Sequence, residues 1–450
     1  MAMGKRRIEQ QAEFWIPTEQ IATGPGHPFY RKLNEVLVAE GFDAFAEDCC
    51  RRFYKTGGRP SIPPGVYFRM LLIGFFEGID SERGIAWRCA DSLGLREFLG
   101  YSLQQSTPDH STLSVIRNRI DLEAHREVFG WVLSLLARHE LVRGKTVGID
   151  ATTLEANAAM RSIVRRDTGE SYEQFLTGLA QASGIATPTR QDLAKIDRKR
   201  KKKASNQDWY NPHDPDAKVA KMKDGRTHLA HKAEHAVDLQ TGAIVGVTVQ
   251  PADMGDTSTV EATFDSTLEH LLDLQLDPTT EKHVHSVAAE EVVADKGYHS
   301  QDCLESFEAM AVRTYISEPD RKRGPKANSP AVRANRRRVQ GNRGRRLLRK
   351  RGELLERPFA HCYETGGMRR THLRGHVKIL KRLLVHVAGC NLALLMRKVF
   401  GIGTPRGLQG LAARVLAVCR TVERFVAGLW RAVIWAYVKI GRKIAPAHAA

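Results

Sequence analysis

The sequence predicts an α/β protein whose mixed-sheet core lies between helical N-terminal and C-terminal regions. Three observations support this fold class: helical patterns up to residue 140, short β-branched runs alternating with helical segments over 141–320, and helical patterns again over 352–450. The chain has 450 residues, whereas a typical domain has about 100–150 residues. We therefore expect two or three domains.

The N-terminal region, 1–140, is predicted to form short helices joined by tight turns, with Ser or Asp at helix-capping positions. Such helices suit a helix-turn-helix type DNA-binding module. The alternative is a helical dimerisation or scaffolding domain with a solvated basic face. The arginines that would then contact phosphates are Arg83, Arg88, Arg96, Arg117 and Arg119.

The central region, 141–320, carries the strand patterns. A β-branched run leads to Asp150, and the strand EEVVAD ends at Asp295. Between them, 234–250 has the pattern of a hairpin and is followed by a helical segment. A basic insertion at about 158–226 includes the run RKRKKK, which cannot be core because six adjacent cations would be buried unpaired.

The segment 321–351 contains 14 Lys or Arg residues and no acidic residue. This composition predicts a basic linker that is flexible or ordered only on DNA. The remaining residues, 352–450, are predicted to form several helices with basic exposed faces.

The charge of the whole chain points to nucleic acid as a partner. The formal net charge is +18, and the hydrophobic fraction of 42% is ordinary for a folded protein. Lys and Arg residues that contact phosphates release bound counterions, so a polyanion is the expected ligand. On charge alone, an acidic protein or a membrane surface is the alternative.

Other classes of protein are not favoured. The seven cysteines form no CxxC pair, which suits a reducing cytoplasm, and the N-terminus lacks the apolar core of a secretory signal. The longest apolar stretch, 425–438, has 14 residues, fewer than the roughly 20 needed to span a bilayer. This stretch is too short for a membrane span, so a membrane is not an expected partner. No GxxxxGK[ST] loop is present, so a nucleotide is not expected either.

Asp150 and Asp295 are candidate metal ligands because each ends an apolar run. A carboxylate in such a position is costly unless it is paired or holds a metal. Cleavage of a phosphodiester is well served by two divalent ions about 4 Å apart held by carboxylates, and hard oxygen ligands select Mg²⁺ or Mn²⁺. Either residue alone is more often a strand-end residue, but the pair in a basic chain favours the metal site.

Several motifs, in this order, resemble those of DDE transposases from bacterial insertion sequences: GIDATTLEANA, DPDAK, HKAEHAVDLQTGAIV, VVADKGYHS and ERPF. The resemblance extends from about residue 60 to about residue 400. It implies a ribonuclease-H-like catalytic core with Asp150, Asp295 and Glu356 as catalytic residues and as ligands of Mg²⁺ or Mn²⁺. It also implies double-stranded DNA as the partner, a homodimer on that DNA, and a bacterial cytoplasm with the nucleoid as the location.

The third acidic residue is assigned to Glu356, in the ERPF motif, in preference to Glu353 and Glu364. Many relatives have an Arg four residues before this Glu and a Lys seven residues after it, whereas Gly352 and Tyr363 occupy those places here. The nearby cations that can replace them as DNA contacts are Arg349, Arg351 and Arg357.

Further DNA contacts are predicted next to Asp295, at Lys296 and Tyr298, with a simple turn as the equal alternative. The spacing of His228, His231 and His235 would suit zinc on one face of a helix. The three residues lead into a strand-like stretch without a clear fourth ligand, so a polar strand entry or a phosphate contact is favoured.

The function that follows is DNA transposition, in which a DNA strand is cut at the element end and the freed 3′-hydroxyl attacks target DNA. Such chemistry needs no ATP because one phosphodiester replaces another. The alternatives are a ribonuclease-H-like nuclease that cuts without joining, and a catalytically inactive DNA-binding protein derived from a transposase.

Overall fold

The computed structural model describes residues 27–55, 57, 61–200, 204–222, 225–319 and 329–406. The apolar stretch 425–438 and part of the RKRKKK run lie outside the described residues.

The N-terminal region is helical, as predicted. Its α-helices are α1 (Pro28–Ala39), α2 (Phe42–Cys50), α3 (Pro64–Glu77), α4 (Glu82–Asp91), α5 (Leu93–Phe98), α6 (His110–Arg119) and α7 (Leu122–Arg138). The side chains that cap α4 to α7 by accepting backbone N–H groups are Ser81, Ser92, Asp109 and Asp121. Helix α3 is buried along nearly its whole length, so the other helices of this region pack around it.

The strands are β1 (Thr146–Glu155), β2 (Val164–Arg165), β3 (Trp209–Tyr210), β4 (Lys218–Lys221), β5 (Thr227–Asp238), β6 (Ile244–Pro251), β7 (Glu291–Ala294) and β8 (Arg313–Ile316). The main sheet has the order β6–β5–β1–β7–β8, with β4 paired to the start of β5. Strand β5 runs antiparallel to β1 and β6, whereas β7 is parallel to β1 and β8. The predicted mixed sheet and the predicted hairpin of β5 and β6 are both confirmed.

The insertion between β1 and β5 is folded over its described residues. It contains α8 (Tyr172–Ala182), α9 (Arg190–Lys199) and the small sheet of β2 and β3. Trp209 and Ile163 are central to one small apolar cluster, and Leu176 and Leu193 belong to another. The insertion therefore has its own small cores in addition to its basic surface.

Helices cover both faces of the main sheet. Helix α10 (Asp256–Leu276) contacts β5 and β6, α11 (Gln301–Ala309) and α12 (Pro330–Gln340) contact β8, and α13 (Asn342–Phe359) contacts β1 and β7. A π-helical segment, Ala360–Thr365, continues α13. Pro358 lies inside α13, where it removes a backbone donor and disturbs the regular hydrogen bonding just before this segment.

The prediction of a flexible linker was wrong for residues 329–351, which belong mostly to α12 and α13. Val332 and Leu347 are buried and anchor the two helices. The amide of Asn335 donates to and accepts from the backbone of Ile316, at 2.8 and 3.0 Å, and covers the edge of β8. Arg343 pairs with Glu291 at 2.6 Å. The prediction relied on the high positive charge of this segment, whereas the cations surround an apolar stripe that is buried.

Helix α14 (His376–Phe400) joins the N-terminal helices to the sheet. Among the described residues it is the one helix that is long and apolar enough to cross a membrane, but 89% of that window is buried in the protein. The amide of Asn391 forms two hydrogen bonds with the backbone of Ile244 in β6. Lys381 donates to the carbonyl oxygens of Arg117 and Ile120 at the end of α6. The helix therefore acts as a central packing element.

One continuous hydrophobic cluster extends from Phe29 in α1 through the sheet to Met396 in α14. The N-terminal helices thus share their core with the sheet. Whether these helices bind DNA or form a dimerisation or scaffolding region stays a prediction.

Four of the buried histidines have strongly lowered pKa values, and we expect them to make the fold sensitive to acid. Burial lowers the pKa of His125 and of His270 to about 4, and that of His235 and of His386 to about 3. An unfolded chain titrates its histidines near pH 6.5, so between pH 6.5 and pH 4 the unfolded state binds more protons. We expect the free energy of unfolding to fall over this range by up to about 1.4 kcal/mol per pH unit for each histidine.

Urea unfolding at pH 7.5, 6 and 5 measures this dependence. Burial also lowers the pKa of His361 and His376, which adds to the effect. It raises the pKa of the carboxyl groups of Asp150 and Glu234, which acts in the opposite direction. His270→Gln should make the dependence shallower. Equal stability at pH 7.5 and pH 5 would contradict the prediction.

Candidate active site

Strand pairing places Asp150 and Asp295 side by side. The parallel register pairs Val147 with Val292 and Gly148 with Val293, and two further steps bring Asp295 level with Asp150. The backbone of Asp295 is still extended, with φ −79° and ψ −180°. Adjacent strands lie about 4.8 Å apart, and residues paired in this way point to the same face of the sheet. The sheet thus brings the first two predicted acidic residues together.

Asp150 is held by a cation from α13. Arg351 Nη2 donates to Asp150 Oδ2 at 2.8 Å, and these side chains are only 14% and 24% exposed. Burial raises the pKa of Asp150, Arg351 opposes this effect, and the neighbouring charge of Asp295 adds to it. The Nε atom of Arg351 is buried without a hydrogen-bond partner among the described residues. The site therefore combines two carboxylates with a guanidinium whose buried Nε–H is unused.

Asp295 begins a short turn at the surface. Its Oδ1 accepts the backbone N–H of Gly297 at 2.8 Å. A Cβ atom placed on Gly297 would lie 2.6 Å from Asp256 Oδ2 and 3.0 Å from Asp295 Oδ1. Both carboxylates therefore approach the same glycine, which leaves no room for a side chain there. Lys296 is exposed beside them, where a DNA backbone is free to reach it.

Glu356 is not brought into contact with the two aspartates. The side of α13 that faces the sheet includes Arg351 and Leu355, and the Leu355 side chain packs over Gly148. Glu356 follows Leu355 by one residue, or about 100° around the helix, and is exposed. Of the two alternatives, Glu353 is exposed and paired with Arg357, and Glu364 is exposed and paired with Arg369.

Tyr298 does not present its side chain to a DNA surface. The residue is 0% exposed, and its hydroxyl donates to Glu234 Oε1 at 2.7 Å. Glu234 lies on β5, on the face opposite to Asp150 because it is level with Ala151, and it is also 0% exposed. The tyrosine next to Asp295 therefore anchors the turn to the interior.

Glu234 is the centre of a polar network that was not predicted from the sequence. Its carboxylate also accepts from Thr263 at 2.5 Å and from Thr259 at 3.0 Å. Lys232 Nζ lies 3.8 Å from Glu234 and donates to Asp256 at 2.6 Å. Burial raises the pKa of Glu234, although these donors oppose it. One signal was present in the sequence: the strand AHKAEHAV has two charged residues, Lys232 and Glu234, at alternate positions.

The three histidines of β5 do not converge on a metal site. His231 and His235 lie on one face of the strand, whereas His228 lies on the other. His235 contacts the Tyr363 hydroxyl at 2.5 Å, and His231 contacts Asp214 at 3.2 Å. The spacing that would place all three histidines on one face of a helix therefore divides them between the two faces of a strand.

The DPDAK motif holds the start of α14. Asp214 Oδ1 accepts the backbone N–H of Gly375 at 3.1 Å, and Asp216 Oδ2 accepts that of His376 at 3.0 Å. These carboxylates satisfy free N–H groups at the helix N-terminus. The motif thus connects the insertion to the central packing helix.

The donor set only partly fits a divalent metal. Asp150 and Asp295 offer hard oxygen ligands of the type that Mg²⁺ and Mn²⁺ prefer. No group of three or more His, Cys, Asp or Glu side chains is arranged to hold a metal ion within the part of the chain that the structure describes. The structure brings Asp150 and Asp295 together and leaves Glu356 apart from them, and their role as metal ligands stays a prediction.

Two protein-family models match the chain, one in its N-terminal part and one further along the chain. The model of a transposase domain (DUF772) matches residues 17–119, and that of the transposase DDE domain matches residues 193–392. No curated protein sequence matches the chain significantly. The DDE match includes Asp295 and Glu356 but begins after Asp150, whose assignment depends on its position beside Asp295. The mixed sheet flanked by helices agrees with a ribonuclease-H-like core, and the chain belongs to the DDE transposases, with their catalytic domain.

Proposed function

We propose that this transposase binds the ends of its own element and uses Asp150, Asp295 and Glu356, with Mg²⁺ or Mn²⁺, to cut a DNA strand and join the freed 3′ end to target DNA. The observation that carries the proposal is that Asp150 on β1 is level with Asp295, which directly follows the neighbouring strand β7. We further propose a homodimer that holds two ends together, at the nucleoid in the cytoplasm of a bacterium.

The residues of the chain have distinct tasks in this proposal. A bound divalent ion supplies a nucleophile at neutral pH and stabilises developing negative charge on the phosphate. Asp150 is fixed in the middle of a long strand, so its carboxylate needs little reorganisation before the reaction. Arg351 neutralises Asp150 at 2.8 Å, and its unused Nε donor is suited to a phosphate oxygen once that carboxylate has another cation.

The DNA backbone is proposed to pass over the exposed cations around this site. Lys296 follows Asp295 directly, and Arg349 and Arg357 are exposed on α13. Arg357 is paired with Glu353 at the surface, and such an exposed pair is weak enough to exchange for a phosphate. These contacts would position the strand without reading its sequence.

The assignment of Glu356 is tested by comparing three substitutions: Glu356→Gln, Glu353→Gln and Glu364→Gln. We expect Glu356→Gln to lower strand cleavage by about 10²–10³-fold, since loss of one charge-stabilising group commonly has this effect, and the other two variants to change it less than threefold. Cleavage on end DNA with Mn²⁺ is the measurement. A loss confined to Glu353→Gln or Glu364→Gln would move the third ligand to that residue.

Labelled DNA carrying the flanking sequences of the element tests the function as a whole. Wild-type protein with Mg²⁺ or Mn²⁺ is expected to cut at the ends and to join them to a target plasmid. Cutting without joined products would favour the nuclease alternative. Tight, specific binding with no metal-dependent cutting would favour the inactive DNA-binding alternative.

A further inference from the structure

A cavity of about 180 Å³ lies where the N-terminal helices meet α14 and the segment that precedes it. Water occupies roughly 30 Å³ per molecule in the liquid, so several waters or one small polyatomic anion fit the space. Its walls include Arg117 from α6, Arg382 from α14, and Arg370 and His372 from the segment that precedes α14.

Arg382 is the unusual member of this lining. The residue is 6% exposed, and its Nη2 donates to the carbonyl oxygen of Ile79 at 3.2 Å. Its Nη1 is buried with no hydrogen-bond partner among the described residues. Burial lowers its pKa to about 10, the Tyr67 hydroxyl and the Asp80 carboxylate oppose this effect, and the neighbouring guanidinium of Arg117 adds to it. A buried cation in this situation is costly unless an anion joins it.

The carboxylates of the cavity already have partners. Glu82 pairs with Arg117, and Asp80 lies 2.9 Å from His372 Nε2. Arg370, whose side chain is 59% exposed, lies at the mouth and pairs with Glu155 at 3.6 Å. The two carboxylates are therefore paired with other cations of the same cavity wall, and neither of them pairs with the buried guanidinium of Arg382.

We propose that this cavity binds a phosphate group, with Arg382 and Arg117 as buried donors and Arg370 as the donor at the mouth. Guanidinium groups match phosphate oxygens through charge-assisted hydrogen bonds. The phosphate is either part of a DNA backbone or a free inorganic anion. A DNA backbone as the source rests on the proposed function, whereas binding of a phosphate group to the cavity does not.

The position of the cavity suits a backbone phosphate. Arg370 forms a bridge with Glu155 at the end of β1, and Asp150 lies five residues earlier on the same strand, or roughly 17 Å away at about 3.3 Å per residue. Arg369 donates to Thr152 Oγ1 at 3.1 Å, so the loop is fastened to this half of β1. A DNA strand that crosses Asp150 along β1 would reach the cavity mouth.

Thermal unfolding of the full chain in sodium phosphate, compared with sodium chloride at equal ionic strength, tests the site. A ligand at 100 times its dissociation constant stabilises the folded state by about 2.7 kcal/mol, so phosphate is expected to raise the Tm of the wild type by several degrees. Arg382→Gln and Arg370→Gln should lose most of this shift, and Arg382→Lys should retain part of it. The matched control Arg333→Gln, at an exposed position on α12, should behave as the wild type.

Ethylation interference on end DNA distinguishes the two sources. A backbone source predicts one or more phosphates whose ethylation weakens binding to the wild type but not to Arg370→Gln. A phosphate-dependent Tm shift without such positions assigns the site to a free anion. An equal Tm shift in the wild type, Arg370→Gln and Arg333→Gln, or no shift beyond that in chloride, would overturn the proposal. Neither Tm result depends on whether the protein cuts DNA.

Discussion

Asp150→Asn and Asp295→Asn are each expected to lower the rate of strand cleavage by about 10³-fold or more, which corresponds to roughly 4 kcal/mol of transition-state stabilisation. Asp150 on β1 stands level with Asp295, which directly follows the neighbouring strand β7. Asn removes the negative charge while it keeps the size of the side chain. Single-turnover cleavage of labelled end DNA in Mg²⁺, with the protein in excess, measures the chemical step.

DNA affinity should survive both substitutions. Asp150→Asn frees Arg351 from its ion pair, so binding measured without a divalent metal is expected to be equal or tighter. The matched control is Asp265→Asn on the exposed surface of α10, which should cleave as the wild type does. Cleavage within tenfold of the wild type in either Asp150→Asn or Asp295→Asn would remove that residue from the proposed site.

The sequence predicted the position of these two aspartates because each ends a β-branched run, and such runs become neighbouring buried strands. The hairpin of β5 and β6 and the long helix α10 were predictable for the same reason, since their periodicity is local. The region that the sequence misjudged was 329–351, where a high density of cations concealed the buried positions of Val332 and Leu347.

Long-range contacts account for what the sequence could not predict. Tyr298 follows Asp295 in the chain, but its burial depends on Glu234, which lies 64 residues away. Arg351 reaches Asp150 across 201 residues. Residue type alone could not decide which cations of α13 face solvent and which face the sheet, because the rotation of the helix depends on how Leu355 packs over Gly148.

The buried network of Glu234 carries the second large expected effect. Glu234→Leu is expected to lower the free energy of unfolding by about 3–5 kcal/mol, since removal of one partner leaves other buried polar groups unpaired. These groups are the hydroxyls of Tyr298, Thr259 and Thr263, with the ammonium group of Lys232 nearby. Urea unfolding at pH 7.5 measures the change. Glu269→Leu, at an exposed site on α10, is the control and should change stability by less than about 0.5 kcal/mol.

Tyr298→Phe separates the network from a DNA contact at the same residue. The substitution removes one hydroxyl, so we expect a loss of about 1.5–3 kcal/mol, the usual range for a hydrogen bond to a charged group, with DNA affinity unchanged. In the Glu234→Leu background the same substitution should have a much smaller effect, because the accepting carboxylate is already gone. Weaker DNA binding by Tyr298→Phe without any loss of stability would contradict this prediction, because it would mean that the tyrosine leaves its buried position to contact DNA. An equal loss of stability in both backgrounds would show that the hydroxyl does not act through Glu234.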